Sequence, residues 1–168
     1  MKTKTKIGVL ASVAMLAALL LLFVLFAFNT KASGASLFVN GKIVGHKSAE
    51  ITYNLFKEET ALPLLAVLEA LGAQITEISD GILQIVLDNT TYELNMTAKT
   101  FTSANDSNGF DYLEIPPGTR DYICEVKDGD VYINHSSMRY VLNELGYDSV
   151  DITVERNENK VAVNAIKS

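Results

Sequence analysis

The sequence predicts an α+β domain: an antiparallel β-sheet wrapped around a short buried helix, built as two related strand–helix–strand–strand halves and preceded by an N-terminal hydrophobic leader or transmembrane helix. Three observations carry this. Residues 60–72, T-A-L-P-L-L-A-V-L-E-A-L-G, read as a helix with almost no polar face, Glu69 being the one charge between Leu62 and Leu71. A helix apolar nearly all round is enclosed on most sides. Around it lie short alternating runs punctuated by Asn-Gly, Asp-Gly and Asp-Asn pairs, the pattern of strands joined by tight turns. A weaker copy of the helix, S-S-M-R-Y-V-L-N-E-L-G, follows at 136–146, and E-A-L-G-A-Q-I at 69–75 aligns with N-E-L-G-Y-D-S at 143–149. Two copies make one domain of related halves; a solenoid needs three or more.

The chain opens with Lys2, Lys4 and Lys6, followed by 22 residues, 7–28, without a charge. Basic first and apolar second is the export pattern, with the lysines held inside. Residues 1–35 are therefore a signal peptide or an N-terminal membrane anchor, and the bulk of the chain lies outside the cytoplasm. Ala32-Ser33-Gly34-Ala35 offers a cleavage site after Gly34 or Ala35. No cysteine lies there, which excludes a lipoprotein anchor. If the leader stays uncut, residues 7–28 make the membrane partner.

The domain, 36–168, then reads element by element. Residues 36–44 form a hairpin about Asn40-Gly41, and 49–56 a further strand. In the first helix Thr60 is the expected N-cap, Glu58 and Glu59 complement the helix dipole, Pro63 sits in the first turn and Gly72 is the stop. Strands follow at 74–78, 82–87 and 91–96. The polar stretch 98–109 reads as an exposed loop. Short strands are expected at 112–115, 121–127 and 130–133. In the second helix Met138, Val141, Leu142 and Leu145 form a single apolar stripe, Ser136 and Ser137 are the expected N-cap residues, and Gly146 ends it. Strands at 150–154 and 161–165 close the chain.

Charge narrows the partners. No acid precedes Glu50, so residues 35–168 hold ten basic against twenty acidic side chains, a net of −10. Such a surface does not suit DNA or RNA, whose phosphates need basic groups, nor an anionic membrane surface. The single cysteine, Cys124, permits no intramolecular disulfide; in the alternating run Y-I-C-E-V it reads as a buried, inert thiol.

No catalytic, cofactor-binding or metal-ligating residue is expected. His46 and His135 sit in different halves without H-x-H or H-x-x-H spacing, and a metal site there would need carboxylate or Met help. The run Asp106, Asn108, Gly109 fails the calcium-loop pattern, which would place Ala104 and Ile115 at ligand positions; weak cation binding by Asp106 or Asp111 is the most it offers. There is no G-x-S-x-G nucleophile elbow and no phosphate-binding glycine loop. Tyr112, Tyr122, Tyr132, Tyr140 and Tyr147 suit core packing better than a carbohydrate-stacking face.

Val39-Asn40-Gly41, Leu62-Pro63-Leu64 and Val67 with Glu69-Ala70-Leu71-Gly72-Ala73 resemble the copper amine oxidase N-terminal-like, or stalk, domain common in exported proteins of Gram-positive bacteria. Val131-Tyr132-Ile133 and 142–147 are similar but looser, and the resemblance covers roughly 36–166. Leu65 stands where that family usually has Arg, and 77–81 replaces part of its usual hairpin ending. The resemblance implies a short antiparallel sheet twisted around a helix, and no oxidase activity: that centre needs three copper-binding histidines and a quinone-forming tyrosine, and this chain has two histidines. The expectation is an exported, non-enzymatic cell-envelope module, a binding or spacer domain without cofactor, with a cell-wall polymer or envelope protein as partner. The alternatives are an exported cell-wall polymer hydrolase using a carboxylate pair, and a metal-binding accessory protein.

Overall fold

The computed structural model describes residues 15–22, 31–53, 58–98, 100–103, 106–111 and 124–168. They form a mixed α+β structure, mostly sheet. Residues 15–22 are helical and exposed. Among the described residues no helix is long and apolar enough to cross a membrane; the rest of 7–28 lies outside them.

A seven-stranded sheet takes up β1 (Lys31–Val39), β2 (Lys42–Tyr53), β3 (Glu58–Pro63), β9 (Cys124–Lys127), β10 (Asp130–Asn134), β11 (Ser149–Glu155) and β12 (Lys160–Ile166), in the order β11-β12-β1-β2-β3-β10-β9. A five-stranded sheet runs in chain order through β4 (Gln74–Ser79), β5 (Ile82–Leu87), β6 (Thr90–Asn95), β7 (Thr100–Ser103) and β8 (Asp106–Asp111). Every pairing is antiparallel except β1 with β12, which is parallel. Besides 15–22, the described α-helices are α1 (Leu64–Ala70) and α2 (His135–Glu144), with a short 3-10 helix at Arg156–Glu158.

Local chemistry explains most of the corners. Asn40-Gly41, Asp88-Asn89 and Asp128-Gly129 all have both residues at positive φ, as two-residue type I′ hairpins require. Both helices stop on a left-handed glycine, Gly72 at φ 100° and Gly146 at φ 82°. The following N–H turns back into the helix, Ala73 to Leu68 O and Tyr147 to Leu142 O, which satisfies carbonyls the helix would leave open. Leu64 to Leu68 of α1 are all buried, whereas α2 buries one face through Met138, Val141 and Leu142. Together with Leu37, Ile85, Leu94, Phe101 and Val163 they form one apolar cluster that spans both sheets.

Several expectations are corrected. Thr60 does not cap α1: Glu58–Pro63 is a strand held between β2 and β10, Thr60 is buried within it, and Pro63 occupies the N-cap position without a side-chain bond. Glu58 and Glu59 consequently pair with Tyr53 and Thr52 of β2 and do not lie in the first helical turn. Ser136 and Ser137 do not cap α2; Asn134 does, its Oδ1 accepting the Ser137 N–H at 2.8 Å. The strand expected at 49–56 is the continuation of β2 as far as Tyr53. The loop expected at 98–109 is in large part the hairpin of β7 and β8, anchored by the fully buried Phe101, whose ring meets Tyr92 at 5.3 Å between centroids. The strand expected at 112–115 lies outside the described residues.

The centre of the large sheet has an internal symmetry. Leu62 pairs with Ile133, flanked by Pro63 with Tyr132 and Ala61 with Asn134. A two-fold axis through the Leu62–Ile133 pair exchanges Pro63 with Asn134, the residues that precede α1 and α2. The helices thus leave this pair in related ways, and α2, with 10 residues against 7 in α1, is about one turn longer. The correspondence ends beyond them, because β5 pairs with the next strand in the chain, β6, whereas β12 pairs in parallel with the first, β1.

Candidate functional site

Among the described residues, a surface groove with several tethered side chains lies where β2 departs from its ladder. Ser36 pairs with Ser48 and Phe38 with Ile43, so Val44, Gly45, His46 and Lys47 oppose Leu37 alone. Extra residues in one strand buckle it outward, and such bulges re-aim side chains. Val44 is buried and pins the bulge to the core, leaving His46 exposed at the surface.

Three contacts hold the bulge in place. His46 Nε2 lies 3.2 Å from Glu69 Oε2 at the end of α1. Lys47 Nζ donates to the Asp128 backbone carbonyl in the β9–β10 turn, and Tyr132 Oη donates to Ser48 O at 3.4 Å. The bulge of the first half is thereby tied to the hairpin of the second. Between them opens a groove of about 560 Å³ lined by Ser36, Ile43, His46, Lys47, Ser48 and Asp128, with Tyr132 also in its wall. Beside it Lys127 Nζ bonds Glu50 Oε1, which holds the ammonium above its ordinary pKa, and lies 6.0 Å from the Tyr132 ring centre. The groove wall thus combines Lys47 and Asp128 with the polar side chains of Ser36, His46, Ser48 and Tyr132.

Asp130 lies at the start of β10, 2% exposed. Its Oδ1 accepts the N–H of Leu65 at 2.8 Å and of Val131 at 2.7 Å, and its Oδ2 accepts the N–H of Ala66 at 3.1 Å. Asp130 is therefore the cap of α1, supplied from 65 positions along the chain. Burial pushes its carboxyl above the usual Asp value, while the N–H groups of Leu65, Val131 and Ala66 and the charge of Lys47 pull it back. A carboxylate so placed answers the open donors of a helix start, which accounts for its burial without a catalytic role.

His46 and His135 are not brought together as ligands: His46 pairs with Glu69, and His135 is the first residue of α2, its imidazole held below its ordinary pKa by desolvation and by Arg139. Among the described residues no group of three or more His, Cys, Asp or Glu is placed to hold a metal ion. Tyr132 and Tyr147 are buried and Tyr140 half-buried; Tyr112 and Tyr122 lie outside the described residues. Cys124 opens β9, with its side chain outside them too. Asp106 and Asp111 bound β8. Sequence reasoning missed the bulge and Asp130; the signal for the bulge is Gly45 interrupting the alternation, while for Asp130 no local signal exists.

No family model, curated protein or solved structure matches the chain.

Proposed function

We propose that this is an exported, non-enzymatic module of the cell envelope that works as a spacer or stalk, built from two related halves in which strands enclose a short helix, as the stalk-domain resemblance implies. The observation that carries it is the parallel pairing of β1 with β12. The first and last strands of the domain lie side by side and point the same way. The start of β1 and the end of β12 therefore lie toward opposite ends of this strand pair. Ser36 is level with Lys160, Lys31 lies five residues before the one and Ile166 six beyond the other. At about 3.3 Å per residue that separates entry and exit by about 35 Å. A spacer needs such a geometry; a domain with both ends together would return the chain to where it started.

The groove over the β2 bulge supports a binding role alongside, with a neutral, hydroxyl-rich envelope polymer as the fitting ligand class. The test is co-sedimentation of the detergent-solubilised full chain with purified wall polymer. Retention that is lost in His46→Ala and Lys47→Ala supports binding at the groove. No retention leaves the spacer role, which is read separately: spin labels at positions 31 and 166 are expected about 35 Å apart, and a distance under about 15 Å would sink it.

A further inference from the structure

We infer that the chain keeps its apolar leader and remains tethered by it, because the bonds that the export pattern offers for cleavage lie inside β1. The inference rests on the exported reading above and specifies what becomes of the leader. The bonds in question follow Gly34 and Ala35. Both residues lie within a strand that starts at Lys31: Lys31, Ala32, Ser33, Gly34 and Ala35 pair in unbroken register with Tyr53, Thr52, Ile51, Glu50 and Ala49.

Each cut removes something the fold uses. Ala35 is 1% exposed and belongs to the apolar cluster, so a cut after Gly34 would turn a core residue into a charged chain end and strip the pairing of 50–53, a charge that the apolar surroundings disfavour. A cut after Ala35 would take that residue from the core and strip the ladder from 49–53 of β2. The exposed row of N–H and C=O groups would lie in the middle of a sheet, where an open edge invites foreign pairing. It would also remove the Gly34 carbonyl that accepts from the Asn159 side chain, a contact adjoining the bond from Ser36 N–H to Asn159 O at 2.9 Å. The leader agrees independently: its 22 uncharged residues exceed the about 7–15 of a cleaved signal and match the about 20 of a spanning helix. With Lys31 already in β1, two residues separate Phe28 from the domain.

The test is expression of the full chain with a C-terminal tag in a Gram-positive host, followed by fractionation, protease shaving of protoplasts and intact-mass measurement. The expected result is uncut chain in the membrane fraction with the tag accessible from outside. A shortened chain beginning at Ala35, Ser36 or any other position after Phe28, found in the wall or medium, overturns retention and leaves the exported reading standing. Uncut chain with the tag shielded inside the cytoplasm overturns both.

Discussion

α1 and α2 end alike, on a left-handed glycine with the next N–H turned back, yet they begin differently. α2 is capped by the residue immediately before it, Asn134. α1 is preceded by Pro63, which offers no side-chain acceptor, and takes its cap from Asp130 on a strand of the other half. The difference follows from what each helix carries. α2 is amphipathic, and its start can be settled by neighbouring residues. α1 has seven residues, far below the about 12–15 at which an isolated helix is even marginal in water, and is enclosed on most sides. Its open N–H groups cannot reach solvent, so a buried partner must come from elsewhere. Asp130 joins the halves in a way that ladder pairing alone does not: α1 is complete only when the β9–β10 hairpin has docked.

The strongest way to break this contrast is Asp130→Ala. It leaves the Leu65 and Ala66 N–H groups buried without acceptors, and a loss of about 3 kcal/mol is expected, read as a lower urea midpoint with an unchanged slope. A loss below about 1 kcal/mol would mean that α1 does not depend on the distant cap.

The second effect is in pH. Burial raises the folded-state pKa of Asp130 above its unfolded value, so the folded state holds the proton more tightly. That contribution is fully present below about pH 3.9, the ordinary Asp value, and is lost as pH rises through the folded pKa. Asp130→Asn does not titrate. The wild-type urea midpoint is therefore expected to fall relative to that of Asp130→Asn as pH rises from 3 to 7; movement in the opposite direction would contradict the assignment.

Asn134→Ala removes the local cap of α2 and is expected to cost about 1 kcal/mol, clearly less than Asp130→Ala, with Asn134→Asp restoring most of it. Equal losses from the two alanine variants would erase the distinction between the two helix starts. The smallest effect is at Ser137, fully buried in the first turn of α2 with no hydrogen-bond partner for its hydroxyl among the described residues. Since a buried hydroxyl without a partner is a cost, Ser137→Ala is expected to be neutral or stabilising by under about 1 kcal/mol in thermal unfolding; clear destabilisation would reveal a partner for the hydroxyl.

What was legible in the sequence is what neighbours decide. Asn40-Gly41, Asp128-Gly129, Gly72 and Gly146 announce their positive φ, and the stripe from Met138 to Leu145 announces a one-faced helix. Thr60 misleads because it has cap chemistry but lies in a strand, and the true cap is 65 positions away. Phe101 is a lone aromatic in a polar stretch, too little for a periodicity, yet its burial sets β7. The candidate groove depends on four bulged residues of β2 meeting the Asp128 turn, a meeting across 81 positions in the Lys47 contact that no local pattern encodes.

The pairing of the first strand with the last also has a consequence in time. Val39 is matched to Val163, and the Asn40 side chain exchanges two hydrogen bonds with the Ala165 backbone. At a synthesis rate of about 5–20 residues per second, the partner of β1 appears roughly ten seconds after β1 itself. Throughout that interval one edge of the first hairpin has no strand to receive it, and α1 waits for Asp130. The chain therefore stays open until almost all of it has emerged, so protection from foreign pairing matters most for the edge of the first hairpin.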